Sequence, residues 1–468
     1  MVRIQTIRVD GLFGIFNHEI PMRMEDRITI IHGPNGYGKT TILRLVNALF
    51  HGRYSDLRNT PFREFRVDFE DGRHVTVAKL EGNGTSKADA KRRRNRRLIV
   101  RLLHGNKELE HIELNSPTQD EWETQAHFPA HAFDQFIPGL VRESREIWRY
   151  VPTNEEMTFE DLVDRFSDQL PASVIPRIEK KDIEWLHVLQ KSIRVRFIES
   201  QRLLRIAHNS RRSPNQYEVS PALELSVAVH ANQLAKSIQG KLAEYAALSQ
   251  SLDRTFPVRL VDQMQSVLTR EQVLGTTELR RKLSELEDKR TRLREAGLLD
   301  KQEGFGFQVP EDLQDLTQRV LPVYVKDVEQ KLSVFDDIAA KIDLLKQIVN
   351  SRFSFKKMSI DKENGFVFTT EEGQPLTPAH LSSGEQHMLV LFSELLFRVE
   401  PNSLVMIDEP EISLHVTWQK QFLRDLQGVT NLASFDVLIA THSPQIVHDR
   451  WDDLTVELKH PSVVEQPV

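Results

Sequence analysis

Two short stretches, 369 positions apart, constrain most strongly what this chain can fold into. The first, ITIIHGPNGYGKTTILRLVNALF from Ile28 to Phe50, reads as an apolar strand, a glycine-rich turn and an amphipathic helix. Within it Gly33 to Thr40 fits G-x-x-x-x-G-K-[ST], a loop that cradles phosphate. Asn35, Gly36 and Gly38 let backbone N–H groups converge on the β- and γ-phosphates, and the helix N-terminus at Thr40 and Thr41 adds its dipole. Lys39 supplies a mobile positive charge, and Thr40 a hydroxyl for Mg²⁺. Such a loop needs a second strand ending in a carboxylate. SLVMIDEP supplies it, with Asp408 to face Mg²⁺ and Glu409 to polarise an attacking water. Two parts of one site so far separated require an insertion that leaves the sheet and comes back.

The insertion is legible between about residues 211 and 352. Leu234, Ile238, Leu242, Tyr245 and Leu252 recur at helical spacing, as do Leu279, Leu283, Leu286 and Leu293, with Arg290 interrupting the seam. After a turn-rich break, Val328, Leu332, Phe335, Ile338, Ile342 and Leu345 repeat at steps of three and four. The pattern predicts an antiparallel, coiled-coil-like helical arm with its tip near Gly297–Pro310, the returning helix reaching ~60 Å at ~1.5 Å per residue. Around it an α/β body splits into residues 1–210 and 353–468. Its first part predicts two strands within IQTIRVDGLFGIFNHEIPM and a hairpin turning at Asp71-Gly72. Residues 106–200 read as mixed and mostly helical. FKKMSI, GFVFTT, SLVMID and FDVLIATHS read as strands, and SSGEQHMLVLF opens a helix.

With these elements in place the chain resembles ABC-type ATPases. LSSGEQ (Leu381 to Gln386) resembles their signature motif, IDEPEISLH their Walker B and D-loop, and ATHSP their switch histidine, here His442. FIESQRLL resembles the Q-loop, with Gln201 in the metal-sensing position. The split head with a helical arm is similar to the SMC, RecF and OLD-type branch. The resemblance implies ATP and Mg²⁺ as cofactors, with Thr40, Asp408 and Gln201 toward the metal. It implies Lys39, Glu409 and His442 as the catalytic set. It further implies two heads sandwiching ATP, Ser382, Ser383 and Gly384 of one head capping the γ-phosphate held by the other. His415 stands where transporter D-loops carry Asp, so that contact across the dimer stays open.

Four uses of the ATP compete. A transporter subunit would not carry a long arm. A repair protein of the SMC kind would carry a longer arm, and without any cysteine it has no zinc hook. An OLD-type enzyme would need room for a nuclease domain after His442, where 26 residues follow. The fourth reading resembles the ATPases of the PARIS and Septu anti-phage systems. It implies homo-oligomers that hold a separately encoded nuclease effector and release or activate it when a phage protein triggers them. No run approaches the ~18 apolar residues of a membrane span, and a cytoplasmic protein is expected. The basic run Lys87–Arg101, eight Lys or Arg against one Asp, reads three ways: a solvated loop, a DNA contact, or a dock for an acidic effector.

Overall fold

The computed structural model describes residues 2–79, 97–115, 137, 139–144, 147–151, 155–159, 162, 166, 180–199, 204–206, 223–266, 276–300, 315–447 and 451–460. By compactness the chain forms two units, Met1–Ser200 with Val399–Val468, and Gln201–Arg398. The division departs from the expected lobes: residues 353–398, expected with the C-terminal lobe of the head, group with the helices.

Among the described residues the first unit holds a small antiparallel sheet of Leu140–Arg142, Ile147–Tyr150 and Glu155–Thr158 and two larger sheets. One larger sheet is antiparallel, in the order Phe16–Pro21, Ile4–Leu12, Glu64–Phe69, Arg73–Lys79, Arg97–His104, Lys107–Asn115. Phe16–Pro21 alternates buried and exposed residues and Glu64–Phe69 buried and half-buried ones, the pattern of strands with one wetter face. The hairpin at Asp71-Gly72 forms as expected, with Gly72 at φ 81°. The other sheet is all parallel, in the order Val195–Glu199, Leu404–Asp408, Asp436–Ala440, Ile28–His32, Thr455–Glu457. Its inner strands are buried on both faces, which is why they read as unbroken apolar runs.

The helix Lys39–His51 joins one core with both larger sheets and buries Ile42, Leu43, Leu45, Val46, Ala48, Leu49 and Phe50. A helix apolar on nearly every side must be covered on nearly every side. Arg3 fastens the two larger sheets, donating to both carboxylate oxygens of Asp436 at 2.8 and 2.6 Å. That bidentate pair is mostly buried, the geometry in which an ion pair fixes register as well as charge.

Residues 106–200, expected to be mixed and mostly helical, lie in large part outside the described residues. Among the described residues they hold the strands Lys107–Asn115, Leu140–Arg142, Ile147–Tyr150, Glu155–Thr158 and Val195–Glu199, and one long helix, Lys180–Ser192. The basic run is also partly strand. Arg97–Arg101 lie in the antiparallel sheet, where Arg101 pairs with Glu108 at 3.5 Å, while residues 87–96 lie outside the described residues.

The second unit carries the arm. Helix Ser226–Ser266 runs antiparallel to Asp315–Ser333. Asp253 meets Lys331 at 2.7 Å, Arg259 pairs with Asp327, and the Tyr245 ring packs tilted against Phe335 at 5.3 Å. Two of the predicted seams are buried, Leu279, Leu283, Leu286 and Leu293 on helix Thr276–Glu295 and the whole set from Val328 to Leu345. On Ser226–Ser266 Leu234 and Ile238 are buried, while Leu242, Tyr245 and Leu252 are half-buried. Arg290, which interrupts its seam, is held by Glu287 at 2.5 Å and by the Tyr324 hydroxyl at 3.4 Å. Among the described residues the arm holds four helices where a hairpin was expected, and the returning helix breaks before Asp336. Gly297 does not mark the tip. It lies against the Ile360 carbonyl, and Asp300 pairs with Lys362 at 2.5 Å, beside the hairpin Lys356–Asp361 and Gly365–Thr370. That same hairpin meets Ala231 near the start of the first arm helix, through Gly365. Residues 301–310 lie outside the described residues.

Candidate functional site

The parallel sheet lines up the ends of its strands. Ile31 is level with Ala440, Ala440 with Asp408, and Asp408 with Glu199. Ligands of open α/β sheets sit beyond such carboxyl ends. The phosphate loop leaves from the first of these strands, the His442 turn from the second, and Asp408-Glu409 from the third. The strand leading to His442 therefore stands between the loop strand and the acidic strand. Gln201 follows the fourth strand but lies outside the described residues.

Gly36 and Gly38 take φ 85° and 88°, the left-handed region that favours glycine. A Cβ on Gly38 would also run into the Leu12 side chain. Gly38 is the N-cap of helix Lys39–His51, and neither a side-chain cap nor an acidic residue occupies the first turn. The amides there are left for an anion. Asn35 and Gly36 are exposed at the crest of the loop, and Thr41 is half-buried behind it. Below the loop His18 Nε2 lies 2.9 Å from the Tyr37 carbonyl, and Phe16 packs on Tyr37 at 5.0 Å.

Lys39 is buried and donates to the carbonyls of Gly33 and Pro34 at 2.7 and 3.2 Å. Its Nζ also lies 3.3 Å from His442 Nδ1, a residue 403 positions away. Burial pushes the Lys39 ammonium below the ordinary lysine range, and the carboxylates of Glu409, Asp408 and Glu411 pull it back up. Thr40 Oγ1 donates to Asp408 Oδ1 at 3.0 Å. The two distant motifs thus meet. A hydroxyl beside a carboxylate, above an uncapped helix, suits a hydrated Mg²⁺ bound with phosphate, since that ion takes one or two protein oxygens and keeps most of its water. No cluster of three or more His, Cys, Asp or Glu that could hold a metal by itself occurs among the described residues.

Glu409 has a left-handed backbone, φ 47° and ψ 56°, and its N–H donates to the Ala440 carbonyl at 2.8 Å. Non-glycine residues rarely sit there, and such strain gathers at functional positions. The turn projects the carboxylate toward His442, whose Nε2 is 3.7 Å from Glu409 Oε1.

Two residues in this neighbourhood were not assigned from the sequence. Glu411 Oε1 accepts the His442 backbone N–H at 2.6 Å. Gln419, buried, accepts from Ser443 Oγ at 2.8 Å and donates to the carbonyls of Leu414 and Glu411. Together they brace the segment after Glu409 against the turn holding His442. Both lie in the acidic stretch and the helix after it, but no local pattern marks them. His415 acts locally, its Nδ1 accepting Thr417 N–H at 3.3 Å as the N-cap of helix Val416–Ala433.

Ser382, Ser383 and Gly384 open the helix Ser383–Phe397 in the other compact unit. Ser382 is its N-cap in a capping box with Glu385.

The profile of the AAA ATPase domain family matches residues 4–447. The chain belongs to that family. Among curated proteins it is similar to the Retron Ec83 probable ATPase of Escherichia coli, 23% identical over 167 residues, 29% of this chain and 30% of the relative. It is also similar to protein ea59 of Escherichia phage lambda, 36% identical over 69 residues, 15% of this chain and 13% of that protein. The chain thus spans less than a third of the length of either. Among solved structures, a Pyrococcus furiosus Smc head domain with an extended coiled coil aligns with 98% of this chain and 94% of its own, at 12% identity and TM-score 0.33. The SMC head domain of Thermotoga maritima aligns with 95% of this chain and 91% of its own, at 10% identity and TM-score 0.28. At such TM-scores the likeness decides nothing about function. No helix among the described residues is long and apolar enough to cross a membrane.

Proposed function

We propose that this chain binds ATP with Mg²⁺ and hydrolyses it in a site that a second copy completes, and that the cycle controls a separately encoded nuclease in anti-phage defence. The observation that carries the ATPase reading is the closure of the site from both ends of the chain, Thr40 on Asp408 and Lys39 beside His442. Lys39 and the free amides of the helix N-terminus would hold the β- and γ-phosphates. Mg²⁺, taken by Thr40 and reached by Asp408 and Gln201, would neutralise charge on the phosphate oxygens. Glu409 would accept the proton of the attacking water while the new O–P bond forms and the bond to the leaving ADP oxygen breaks. His442 would steady Glu409 and face the γ-phosphate. Ser382, Ser383 and Gly384 of the partner copy would cap that phosphate, so ATP joins the heads and hydrolysis releases them.

The defence reading rests on the similarity to the retron ATPase, and the helical arm offers a surface for an effector. Expression with the nuclease-like product of a neighbouring gene tests it. The account expects co-purification, protection against phage plating, and loss of protection in Lys39→Ala. A chain that retains DNA but no effector, and that gives no protection, would favour a DNA-repair role instead. Neutralising Arg92, Arg93, Arg94, Arg96 and Arg97 would then remove the DNA contact, if the basic run makes it.

A further inference from the structure

The helix carrying Ser382 to Gly384 begins with a charge arrangement that the roles above do not use. Glu385 Oε2 accepts from Ser382 N at 2.7 Å and from Ser382 Oγ at 2.9 Å. The same oxygen takes a third donor, Lys356 Nζ at 2.8 Å, and Lys356 reaches Oε1 at 3.0 Å. Lys356 comes from the strand Lys356–Asp361, 29 residues upstream, so this is no helical i,i+4 pair. Glu385 is only 7% exposed. Burial pushes its carboxyl up, yet the hydrogen bonds from Lys356 and Ser382 together carry it below the usual carboxylate range.

A carboxylate at the third helical position helps a helix by sitting over its free amides. At a helix start meant to meet a triphosphate, the same charge repels the ligand. Glu385 also holds the Ser382 hydroxyl proton that a phosphate oxygen would need. Lys356 resolves both conflicts: its ammonium cancels the carboxylate charge, and by occupying both carboxylate oxygens it weakens their hold on Ser382.

We propose that Lys356 is a positioning residue for the γ-phosphate contact, acting through Glu385 to make the Ser382 helix start receptive to the nucleotide of a second copy. The proposal rests on the composite-site reading. An unpaired charge a few ångströms from a phosphate, in a partly desolvated interface, changes the rate roughly 10- to 100-fold.

The test compares K356M, K356R, E385Q, the double variant K356M/E385Q and S383R. Each is measured for ATP turnover, for nucleotide affinity at dilutions where copies stay apart, for ATP-dependent self-association and for melting temperature. K356M is expected to lose turnover and self-association by roughly 10- to 100-fold with nucleotide affinity of separate copies changed less than about 2-fold. K356R should restore both, since guanidinium also spans two carboxylate oxygens. K356M/E385Q should recover most of the loss, because the offending charge is gone. A lysine that only ties strand to helix predicts a double variant at least as impaired as K356M, and that result would overturn the proposal. If K356M fails to fold, E385Q decides: tighter ATP-dependent association supports it and weaker association overturns it. K356M at the parental rate beside an inactive S383R would sink this inference alone. S383R at the parental rate would sink the composite site with it.

Discussion

Replacing Glu409 with glycine should leave the nucleotide-free protein more stable than replacing it with alanine. Both substitutions remove the same carboxylate, with the same loss of its proximity to His442 and the same relief of crowding beside Asp408 and Glu411. They differ in backbone. At φ 47° and ψ 56° any residue with a Cβ sits in the left-handed region, which costs about 1–2 kcal/mol. Glycine escapes that cost but loses about 0.5–1 kcal/mol more entropy on folding. The balance favours glycine by about 0.5–1 kcal/mol, or roughly 1–3 °C in a unit of this size. Thermal unfolding of E409G and E409A in chelator, without nucleotide, measures the difference. Neither variant should turn over ATP. An alanine variant melting at or above the glycine variant would refute the idea that the sheet end forces this residue out of its preferred backbone.

Three further outcomes follow from the geometry. Glu409→Gln should trap ATP and strengthen self-association, and hydrolysis at the parental rate would remove Glu409 as the base. Gly38→Ala should abolish nucleotide binding, since its Cβ meets Leu12 and its φ is 88°, and titration with a fluorescent ATP analogue measures it. Lys79, whose Nζ donates to the Arg58 and Thr60 carbonyls, is pushed down to about 8 by burial. Between about pH 8 and 10.5 the unfolded chain keeps that proton and the folded protein does not. Stability relative to Lys79→Met should therefore rise with pH there, by up to ~1.4 kcal/mol per unit, in denaturant titrations.

The two halves of the candidate site, which the structure brings together at Thr40 and Asp408, were legible because each half is local. Glycines at fixed offsets before Lys39, and an apolar run ending in Asp408-Glu409, each announce their own geometry. The arm was legible for a related reason, since a buried seam imposes its period on Val328 through Leu345. Long-range bracing leaves no such trace. Glu411 and Gln419 act across a gap that only the folded sheet closes. KELEHIELN, within a stretch read as mixed and mostly helical, is rich in helix-favouring Glu and Lys, yet it forms the strand Lys107–Asn115. In the sheet Ile112 and Leu114 turn inward, while Leu109 is 44% exposed. Gly297 was placed at the tip because a turn-rich break resembles a hairpin end. Its contact with Ile360 comes from a strand more than sixty residues later.

The central claim is that one copy's phosphate loop is completed by another copy's signature. The most direct measurement mixes Lys39→Ala with Ser383→Arg, each inactive alone, in equal amounts. Every mixed dimer then holds one intact composite site, so random pairing should restore about a quarter of parental turnover. A mixture as inactive as its parts, in a preparation shown to exchange copies, would contradict it.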